Sequence, residues 1–359
     1  MKIYLKYGAL ISPLGNDIGS HFNALLHHES GIQLQKEEGF DGAALYLSKI
    51  PWLTENRYNT LLSKICDDLL VNVSTALLQS PKTAIILSTT KANMEEVDAD
   101  SFASSRRIIS EKFQNPNETI ILSNACISGV LAINLAADYI QMGTFDEVVV
   151  IGIDVLNDFV INGFQSLRAL SDEPCLPFDE NRKGVSLGEA CGAIVVSNKG
   201  GADFSVEYLG GASSNDANHI SGPSRTGEGL VRVVNKTLDR SNSKKEEINY
   251  ISAHGTATLF NDEMEAIGFN RLGLENVPIN SFKGNFGHTL GAAGIVEVLM
   301  CMVSMEKNTL FKSVGFEKLG TTVPLTVLSE NLDLDLHVVL KTASGFGGGN
   351  AALLMRKIG

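Results

Sequence analysis

Three separated segments of the chain carry side chains capable of covalent chemistry. SNACISG contains Cys126, SAHGTAT contains His254, and SFKGNFGHTLGAAG contains Lys283 and His288. Each segment lies where a predicted strand passes into a glycine-rich turn or a helix, from which a side chain can reach into a cleft. A thiolate attacks carbonyl carbon, and imidazoles move protons or donate hydrogen bonds. One thiol and two imidazoles therefore predict acyl transfer through a thioester.

Cys126 is the candidate nucleophile. It follows the buried strand pattern TIILSNA and precedes a predicted helix. The unpaired N–H groups of a helix N-terminus favour the thiolate, so we expect a lowered pKa for this thiol. Its neighbours Ala125, Ser128 and Gly129 are small and leave room for a substrate. Most unpaired cysteines are buried small side chains. We assign to that class the remaining four, Cys66, Cys175, Cys191 and Cys301.

Two histidines lie in short segments that contain glycine. His254 ends a predicted strand, with the hydroxyls of Thr256 and Thr258 beside it. Ligands of open α/β sheets bind at the carboxyl ends of strands, so His254 is expected over such a crevice. His288 has glycines on both sides, which let the backbone approach a bound group closely. Either histidine alone is more simply interpreted as a capping residue, but together with Lys283 and Glu297 the two histidines favour a site.

A lysine and a glutamate accompany the second histidine. Glu297 lies on a predicted helix that is otherwise apolar, where an unpaired carboxylate is costly to bury. Lys283 is its expected partner; a surface lysine and a solvated glutamate are the alternative. Near the C-terminus, GFGGGN precedes a strand and has no Walker lysine, so a phosphate or dinucleotide site is not predicted. This turn is expected to bring backbone N–H groups to a cleft, with Phe346 projecting into it.

Strand-like and helix-like patterns alternate along the chain and predict an α/β fold with parallel sheets covered by helices. The runs EVVVIGID and ACGAIVVSN are continuously apolar, as in parallel strands buried on both faces. The alternation begins again near residue 203, with no low-complexity linker. We therefore predict two related halves. Residues 1–200 carry the nucleophile, and residues 201–359 carry the two histidines and Lys283.

Composition excludes several classes of protein. The hydrophobic content of 44% and the charged content of 19% are those of an ordinary soluble protein. With 29 basic and 41 acidic residues the net charge is -12, which argues against nucleic acid as a partner. A local basic patch for an acidic partner would have to come from Arg106 with Arg107, or Arg182 with Lys183, although solvated surface charge is the simpler interpretation.

The five cysteines form no CxxC pair and no metal-ligand spacing, which favours a reducing compartment and no metal site. Lysines interrupt the short apolar stretch at the N-terminus, so no signal peptide is predicted. The longest apolar stretch, GIVEVLMCMVSM, contains Glu297 and is shorter than the roughly 20 residues that span a bilayer. We expect a cytoplasmic protein without a membrane span.

Taken together, these motifs resemble those of the elongating β-ketoacyl-acyl carrier protein synthases of the thiolase superfamily. The resemblance covers most of the chain and is densest from Ser123 onward. HGTAT and KGNFGHTLGAAG are similar to the two histidine motifs of that family, and GFGGGN is similar to its C-terminal glycine turn. The stretch from FQSLRALS to GEACGAIVV is similar to its segment between the nucleophile and the domain junction.

The resemblance implies a role for each matching residue. Cys126 would accept the acyl chain from an acyl carrier protein. His254 and His288 would promote decarboxylation of a malonyl group and stabilise the enolate, supported by a buried ion pair of Lys283 and Glu297. Further matching positions are Thr256 and Thr258, near the pantetheine arm, and Phe346, a gating aromatic whose N–H would join that of Cys126 in an oxyanion hole.

The implied fold is the duplicated five-layer αβαβα thiolase fold, usually in a dimer. The implied activity is that of an acyltransferase: a decarboxylative condensation that lengthens an acyl chain by two carbons in fatty acid, polyketide or polyene-type biosynthesis. Substrates are carried on the phosphopantetheine of the carrier protein, and no metal or redox cofactor is implied.

The chain also departs from the family pattern. It is shorter than is typical, and the stretch between TAIILSTT and Cys126 is trimmed. NACISG replaces the usual Thr-Ala-Cys-Ser-Ser-Gly pattern, Ser344 stands where an aromatic residue is common, and Val185 stands where Phe is common. These changes favour a specialised synthase of secondary metabolism over the housekeeping enzyme.

Four alternatives are weighed against this interpretation. A chain-length factor, the non-catalytic partner of a synthase, usually lacks the nucleophile, whereas this chain retains Cys126. An active subunit that requires such a partner remains open, as does the choice between a homodimer and a heterodimer with a related subunit. A thiolase has a second cysteine near the C-terminal glycine turn, and ASGFGGGN has none. A starter-type synthase that uses coenzyme A pairs one histidine with an asparagine, whereas HTLGAAG supplies a second histidine.

Overall fold

The computed structural model describes residues 1–95, 100–201, 204–216 and 222–358. Its strands are β1 (Ile3–Ile11), β2 (Gln33–Gln35), β3 (Leu45–Leu47), β4 (Thr83–Ser88), β5 (Ile120–Leu122), β6 (Glu147–Asp154), β7 (Ala190–Ser197), β8 (Ser205–Asn215), β9 (Tyr250–Ser252), β10 (Ile279–Asn280), β11 (Thr309–Leu310), β12 (Leu332–Asp333), β13 (Val338–Ser344) and β14 (Gly349–Lys357). Its α-helices are α1 (Ile18–Leu26), α2 (Arg57–Asn72), α3 (Thr75–Leu78), α4 (Ala103–Phe113), α5 (Ser128–Gln141), α6 (Asp158–Ser166), α7 (Glu228–Ser241), α8 (Leu259–Leu272), α9 (Lys283–Phe286) and α10 (Ala293–Lys307).

Ten of the described strands form one sheet, in the order β10-β9-β13-β14-β8-β1-β7-β6-β4-β5. The first half of this sheet consists of its five strands that precede β8, and the second half begins with β8. When the strands of each half are numbered along the chain and read from the outer edge of the sheet inward, both halves have the order third, second, fourth, fifth and first. Their directions also correspond, since β4 is parallel to β5 and β6 as β9 is parallel to β10 and β13. The chain is therefore built from two topologically equivalent halves, which meet where β1 pairs antiparallel with β8.

The helices divide this sheet into layers. Helices α2 and α4 pack together, and α2 covers β1, β6 and β7 on the outside of the first half. Helices α7 and α8 pack together, and α7 covers β8 and β14 on the outside of the second half. Between the halves, α5 contacts β4 and β6 as well as β8 and β14, and α10 contacts β6, β7 and β13. The order is α, β, α, β, α, the five-layer fold that the resemblance implied.

The prediction of parallel sheets is correct at the two ends of the large sheet, where β4 is parallel to β5 and β6 and β9 is parallel to β10 and β13, and it is wrong for the strands between them. Strand β7 was expected to be parallel, but it pairs antiparallel with both β6 and β1. Every residue of β7 is buried. A continuous apolar run reports burial on both faces, and it carries no information on strand direction.

We did not predict α2 or α6. In α2 the buried side chains recur at helical spacing in a sequence of low overall hydrophobicity, which hides the pattern from a search for apolar runs. The boundary placed at residue 200 falls between β7 and β8, where residues 202 and 203 lie outside the described ranges. That division into domains remains our proposal, supported by the repeated strand order. Among the described helices, none is both long and apolar enough to cross a bilayer.

The two central helices approach each other closely at their N-termini. A Cβ atom on Gly294 would lie 2.5 Å from the backbone nitrogen of Val130, and one on Gly129 would lie 2.9 Å from the Cα of Gly294. Only glycine permits this approach, because contacts below about 3 Å leave no space for a side chain. As a result, the segments that immediately precede α5 and α10 lie side by side, and these segments contain the candidate site residues.

Candidate active site

The site lies at the carboxyl ends of the parallel strands. Cys126 lies between β5 and α5, and His288 lies between β10 and α10. These are equivalent positions in the two halves, since each follows the third strand of its half and precedes a central helix. His254 follows β9, the neighbour of β10. The crevice predicted from the ends of the strands is therefore formed by both halves.

The structure brings the thiol and both imidazoles together. The Sγ atom of Cys126 and one ring nitrogen of each histidine lie within 4.8 Å of one another. The histidine rings meet edge to face, with centroids 5.2 Å apart. All three side chains line a pocket of about 410 Å³, which Thr256, Thr258 and Phe346 also line.

The turn that presents Cys126 is strained. Ala125 has a φ of 44°, a left-handed conformation that non-glycine residues rarely adopt and that recurs at functional sites. The regular helix begins two residues after the cysteine, at Ser128. Gly345, from the glycine turn, approaches so closely that a Cβ atom there would lie 3.3 Å from the Cys126 nitrogen.

Burial dominates the acidity of Cys126. It raises the pKa of the thiol to about 11, although the Lys283 ammonium and the backbone N–H of Phe346 act in the opposite direction. The lowered pKa that we expected from the helix N-terminus is therefore wrong in its net direction. The thiol is only 6% exposed, and the loss of solvation outweighs the nearby N–H dipoles.

Hydrogen bonding determines the tautomer of His288. The backbone N–H of Leu290 donates to Nδ1 at 3.2 Å, so Nδ1 carries a lone pair and the proton of the neutral ring is on Nε2. Nε2 is buried and has no partner among the described residues. Burial, followed by Lys283 and Lys341, holds the pKa of His288 well below its ordinary value. The ring is therefore a neutral Nε2–H donor.

His254 has the same tautomer for a different reason. Its Nδ1 lies 3.3 Å from Nζ of Lys283, and an ammonium group can only donate. Burial is the main cause that holds its pKa well below the ordinary value, and Lys283, His288 and Lys341 act in the same direction. Two neutral imidazoles thus have their Nε2–H groups available in one pocket.

The predicted ion pair of Lys283 and Glu297 is present, with Nζ 2.7 Å from Oε1. Neither residue lines the pocket; both are buried behind the histidines. Sequence analysis missed Lys341, whose Nζ lies 2.9 Å from Oε2 of the same glutamate. The available signal was a lysine inside the apolar strand pattern HVVLKTASGF. Burial alone would raise the pKa of Glu297, but the two ammonium groups lower it.

Two further acidic residues that we did not predict hold the His254 loop. Glu265 accepts the backbone N–H of His254 at 2.8 Å and that of Gly255 at 2.6 Å, and Asp262 accepts that of Thr256 at 3.0 Å. Burial raises the pKa of Asp262 to about 6 and that of Glu265 to about 7. The helical spacing of the acids in NDEMEA was visible, but their burial was not.

The mouth of the pocket combines aromatic and small side chains. The ring of Phe346 lies 5.4 Å from that of Phe164, which also lines the pocket. Val185 and Ser344 line it as well, at the positions where the resemblance led us to note smaller residues. Phe260 lies at the rim and is 77% exposed. The pocket is thus open to solvent on one side and closed by Cys126 and the histidines on the other.

Three of the four cations in the candidate basic patches are buried or paired, and Arg107 is exposed. Arg182 is buried and donates to the carbonyl oxygens of Asp179 and Gly320, so it is structural. Lys183 pairs with Glu173 at 2.9 Å. Arg106 pairs with an aspartate and a glutamate, at 2.6 and 3.5 Å.

The donor set does not fit a metal ion. A cation bound by Nε2 of His288 would require the proton on Nδ1, where it would face the N–H of Leu290. The Lys283 ammonium beside His254 would also repel a cation. The arrangement instead suits a polarised carbonyl oxygen, which both Nε2–H groups can contact.

Comparison with known proteins identifies the family. The β-ketoacyl synthase N-terminal domain matches residues 78–202, and the β-ketoacyl synthase C-terminal domain matches residues 206–317. The chain belongs to the β-ketoacyl synthase family. Among solved structures, a chain of a ketosynthase in complex with its chain length factor, from Xenorhabdus doucetiae, is 26% identical with a TM-score of 0.89. That match covers 99% of this chain and 98% of the other.

Curated relatives of this β-ketoacyl synthase family member include 3-oxoacyl-[acyl-carrier-protein] synthase 2 from Staphylococcus aureus strain COL. It is 30% identical over 260 residues, which are 68% of this chain and 62% of the relative. The enzyme of the same name from Rhizobium meliloti is 30% identical over 266 residues, 69% of this chain and 62% of the relative. The chain thus spans less than two thirds of the length of these curated relatives.

Proposed function

We propose that this protein is a β-ketoacyl synthase that condenses an acyl group, held on Cys126, with a malonyl group carried by an acyl carrier protein. One observation carries the proposal: a thiol and two neutral imidazoles, whose Nε2–H groups have no hydrogen-bond partner among the described residues, meet in one pocket. A thiol alone would support thioester exchange. The two additional donors are what the decarboxylation of a malonyl thioester needs.

In the first step, Cys126 takes the acyl group. Its sulphur attacks the carbonyl carbon of the acyl thioester, the bond from that carbon to the sulphur of the carrier breaks, and the thiol proton ends on the departing carrier thiol. The N–H groups of Cys126 and Phe346 both act on the Cys126 sulphur. We propose that these two N–H groups also donate hydrogen bonds to the oxyanion that forms on the acyl carbonyl.

In the second step, a malonyl thioester occupies the histidine side of the pocket. The bond to its carboxylate breaks, carbon dioxide leaves, and negative charge develops on the thioester oxygen. Nε2–H of His254 and of His288 would donate to that oxygen. The new carbanion then attacks the acyl-Cys126 carbonyl, a carbon–carbon bond forms, the bond from that carbonyl to the Cys126 sulphur breaks, and the departing thiolate takes up one proton from water to restore the thiol. These steps balance without an oxidant or reductant, so we propose that no metal or redox cofactor takes part.

The remaining site residues would contact the pantetheine arm of the carrier protein, the acyl chain or the ring of His254. The hydroxyls of Thr256 and Thr258 lie 2.9 Å apart in the pocket and would contact the pantetheine amides. Phe346 lies at the mouth, where it would gate the acyl chain. Lys283 and Glu297 support His254 from behind.

The test of this function is intact-mass analysis after incubation with an acyl-carrier protein. The wild type should gain the mass of one acyl group, and Cys126→Ala should gain none. An adduct that persists in Cys126→Ala would reject the assigned nucleophile. Cys175→Ala is the matched control, since this thiol is also buried and lies outside the pocket lining.

A second variant separates the two half-reactions. His288→Ala should still become acylated, but its decarboxylation of malonyl-carrier should fall about 10²–10³-fold, the usual cost of an oxyanion donor. Equal loss of both half-reactions would contradict this division of labour between Cys126 and His288.

We further propose that the working unit contains two synthase-type subunits. Two observations support this. Strand β5 is the last in the order of the described sheet, and its three residues are only half buried. The 26%-identical structural relative comes from a complex of a ketosynthase and its chain length factor. A homodimer and a heterodimer with such a partner both fit. A role as a chain-length factor itself is disfavoured, because the thiol and both histidines are in place.

We also propose specialised biosynthesis, of the polyketide or polyene type, rather than housekeeping fatty acid synthesis. The small side chains of Val185 and Ser344 line the pocket and support this choice, because they leave more room than aromatic residues. Restoring the bulk with Val185→Phe and Ser344→Phe should leave short acyl donors active and exclude bulky ones. Unchanged use of bulky donors would reject the idea.

A further inference from the structure

The structure buries a second lysine behind the histidines. Lys341 lies in the middle of β13 and is 0% exposed. Its Nζ donates to the carbonyl oxygens of Ser252 and Ala253, each at 3.2 Å, and to that of Thr342 at 2.6 Å. It also lies 2.9 Å from Oε2 of Glu297. A lysine is rarely buried to this extent, because its charge must be compensated.

In the resulting cluster, two ammonium groups share one carboxylate. Lys283 contacts Oε1 of Glu297 and Lys341 contacts Oε2, so one carboxylate faces two ammonium groups. Lys283 alone would balance the charge of Glu297. Lys341 therefore adds a second positive charge close behind the imidazoles, where the further acidic groups are Asp262 and Glu265, which hold the His254 loop.

Lys341 also holds the backbone that carries His254. Ser252 and Ala253 are the two residues immediately before this histidine, and both of their carbonyl oxygens accept from the same ammonium group. In the sheet Lys341 is the register partner of Ser252. The side chain therefore fixes the point at which the chain leaves β9 and turns into the pocket.

We propose that Lys341 is a positioning residue of this site. It anchors the end of β9 that presents His254, and it supplies the positive charge that keeps both imidazoles neutral, with their Nε2–H groups directed to the substrate. This inference rests on the proposed function for the importance of those donors, but the state of the rings is measurable without any reaction.

Charged and titratable groups face the two rings from every side. Cys126 approaches from the turn before α5, Lys283 from α9 and Lys341 from β13. The acidic groups nearby are Glu297 on α10, and Asp262 and Glu265 on α8. Each histidine ring also faces the other. Removing the Lys341 ammonium group takes away one positive charge that acts on both rings, so both rings become easier to protonate. The pKa of each histidine should rise.

The test is the pH dependence of malonyl-carrier decarboxylation in Lys341→Met, which keeps the length of the side chain and removes its charge. The acid limb of the pH profile is the range in which the rate falls because the rings gain protons. In the variant this limb should lie about one pH unit higher. At a fixed pH within the acid limb, the variant should therefore be about tenfold slower than the wild type. At alkaline pH the loss should be smaller, since the rings are neutral there.

Two control variants separate charge from packing. Lys357→Met removes a lysine from the same hairpin, where Nζ contacts the side chain of Asn308 at 2.6 Å, and its profile should match the wild type. Lys341→Gln keeps a donor for the carbonyl oxygens without the charge, and it should show the same displaced limb as Lys341→Met. A folded Lys341→Met with the acid limb of the wild type would overturn the proposal.

A measurement on the wild type covers the case in which these variants do not fold. Nitrogen-15 NMR of the histidine rings, assigned with His254→Gln and His288→Gln, should show both as neutral Nε2–H tautomers below the ordinary histidine pKa of about 6.5. A ring that titrates at or above that value would overturn the proposal. Absence of malonyl decarboxylation in the wild type would count against the proposed function instead, and the NMR result would still stand.

Discussion

The sulphur of Cys126 experiences two opposing effects. The N–H groups at the start of α5 and in the glycine turn favour its negative charge, and the surrounding protein disfavours it. Because burial prevails, the protein at rest holds a thiol rather than a thiolate. In the proposed reaction, attack then depends on an acyl carbonyl bound close to the sulphur, and the buried thiol is less open to alkylation and oxidation.

At the residue scale, we predict that Cys126 reacts slowly with iodoacetamide at neutral pH. Because its pKa is raised to about 11, the alkylation rate should keep rising with pH well beyond the range of an ordinary cysteine. The thiolate fraction grows about tenfold per pH unit below the pKa. Mass spectrometry of the Cys126 peptide measures the rate, with Cys126→Ala as the background. A rate that levels off near the ordinary cysteine pKa of about 8.5 would contradict the prediction.

At the element scale, the contact between α5 and α10 sets the distance between the nucleophile and His288. Each helix begins just after one of these residues, and Gly129 and Gly294 let the two backbones touch. Any side chain at this crossing would push the helices apart, and it would widen the pocket at the same time.

We therefore predict that Gly294→Ala destabilises the protein by about 1–3 kcal/mol, the usual cost of overpacking, and slows condensation. The added Cβ would meet backbone atoms at 2.5 and 2.8 Å, which cannot rotate away. Urea denaturation measures the first effect. The control is Gly163→Ala in α6, where nothing lies within 4 Å and the change should be neutral or slightly stabilising. Equal midpoints for the two variants would contradict the prediction.

At the scale of the whole molecule, the sheet has an unprotected end. The backbone groups on the outer side of β5 pair with no described strand, and its apolar side chains are half buried. Such an edge is open to pairing with another chain. Since β5 leads directly to Cys126, a second subunit there would also support the nucleophile.

We predict that the protein forms a particle of two subunits in solution. One chain has a mass of 38.5 kDa, so light scattering should report about twice that value, either for the chain alone or after addition of a related partner subunit. Condensation activity should appear only in the fraction that contains two subunits. A monomer that condenses acyl and malonyl groups by itself would contradict the proposed assembly. The cytoplasmic location stays a prediction.

Much of the site was predictable because its residues lie in short local motifs. Cys126, His254 and His288 were identified from small neighbours and from strand-to-turn positions, and the pairing of Lys283 with Glu297 followed from the cost of a buried carboxylate. Lys341 was missed for the opposite reason. It stands alone in an apolar strand, and its partners come from β9 and α10, so no local spacing reveals it.

The chemistry available to this protein, the kinds of its elements and the order of its motifs were set by the amino-acid sequence alone, because they depend on residue type and on periodicity between near neighbours. The direction of β7, the raised pKa of Cys126, the tautomers of the two histidines and the second lysine behind them were decided only by the tertiary structure. Each of these depends on burial or on contacts between distant segments, and local spacing carries no information about either.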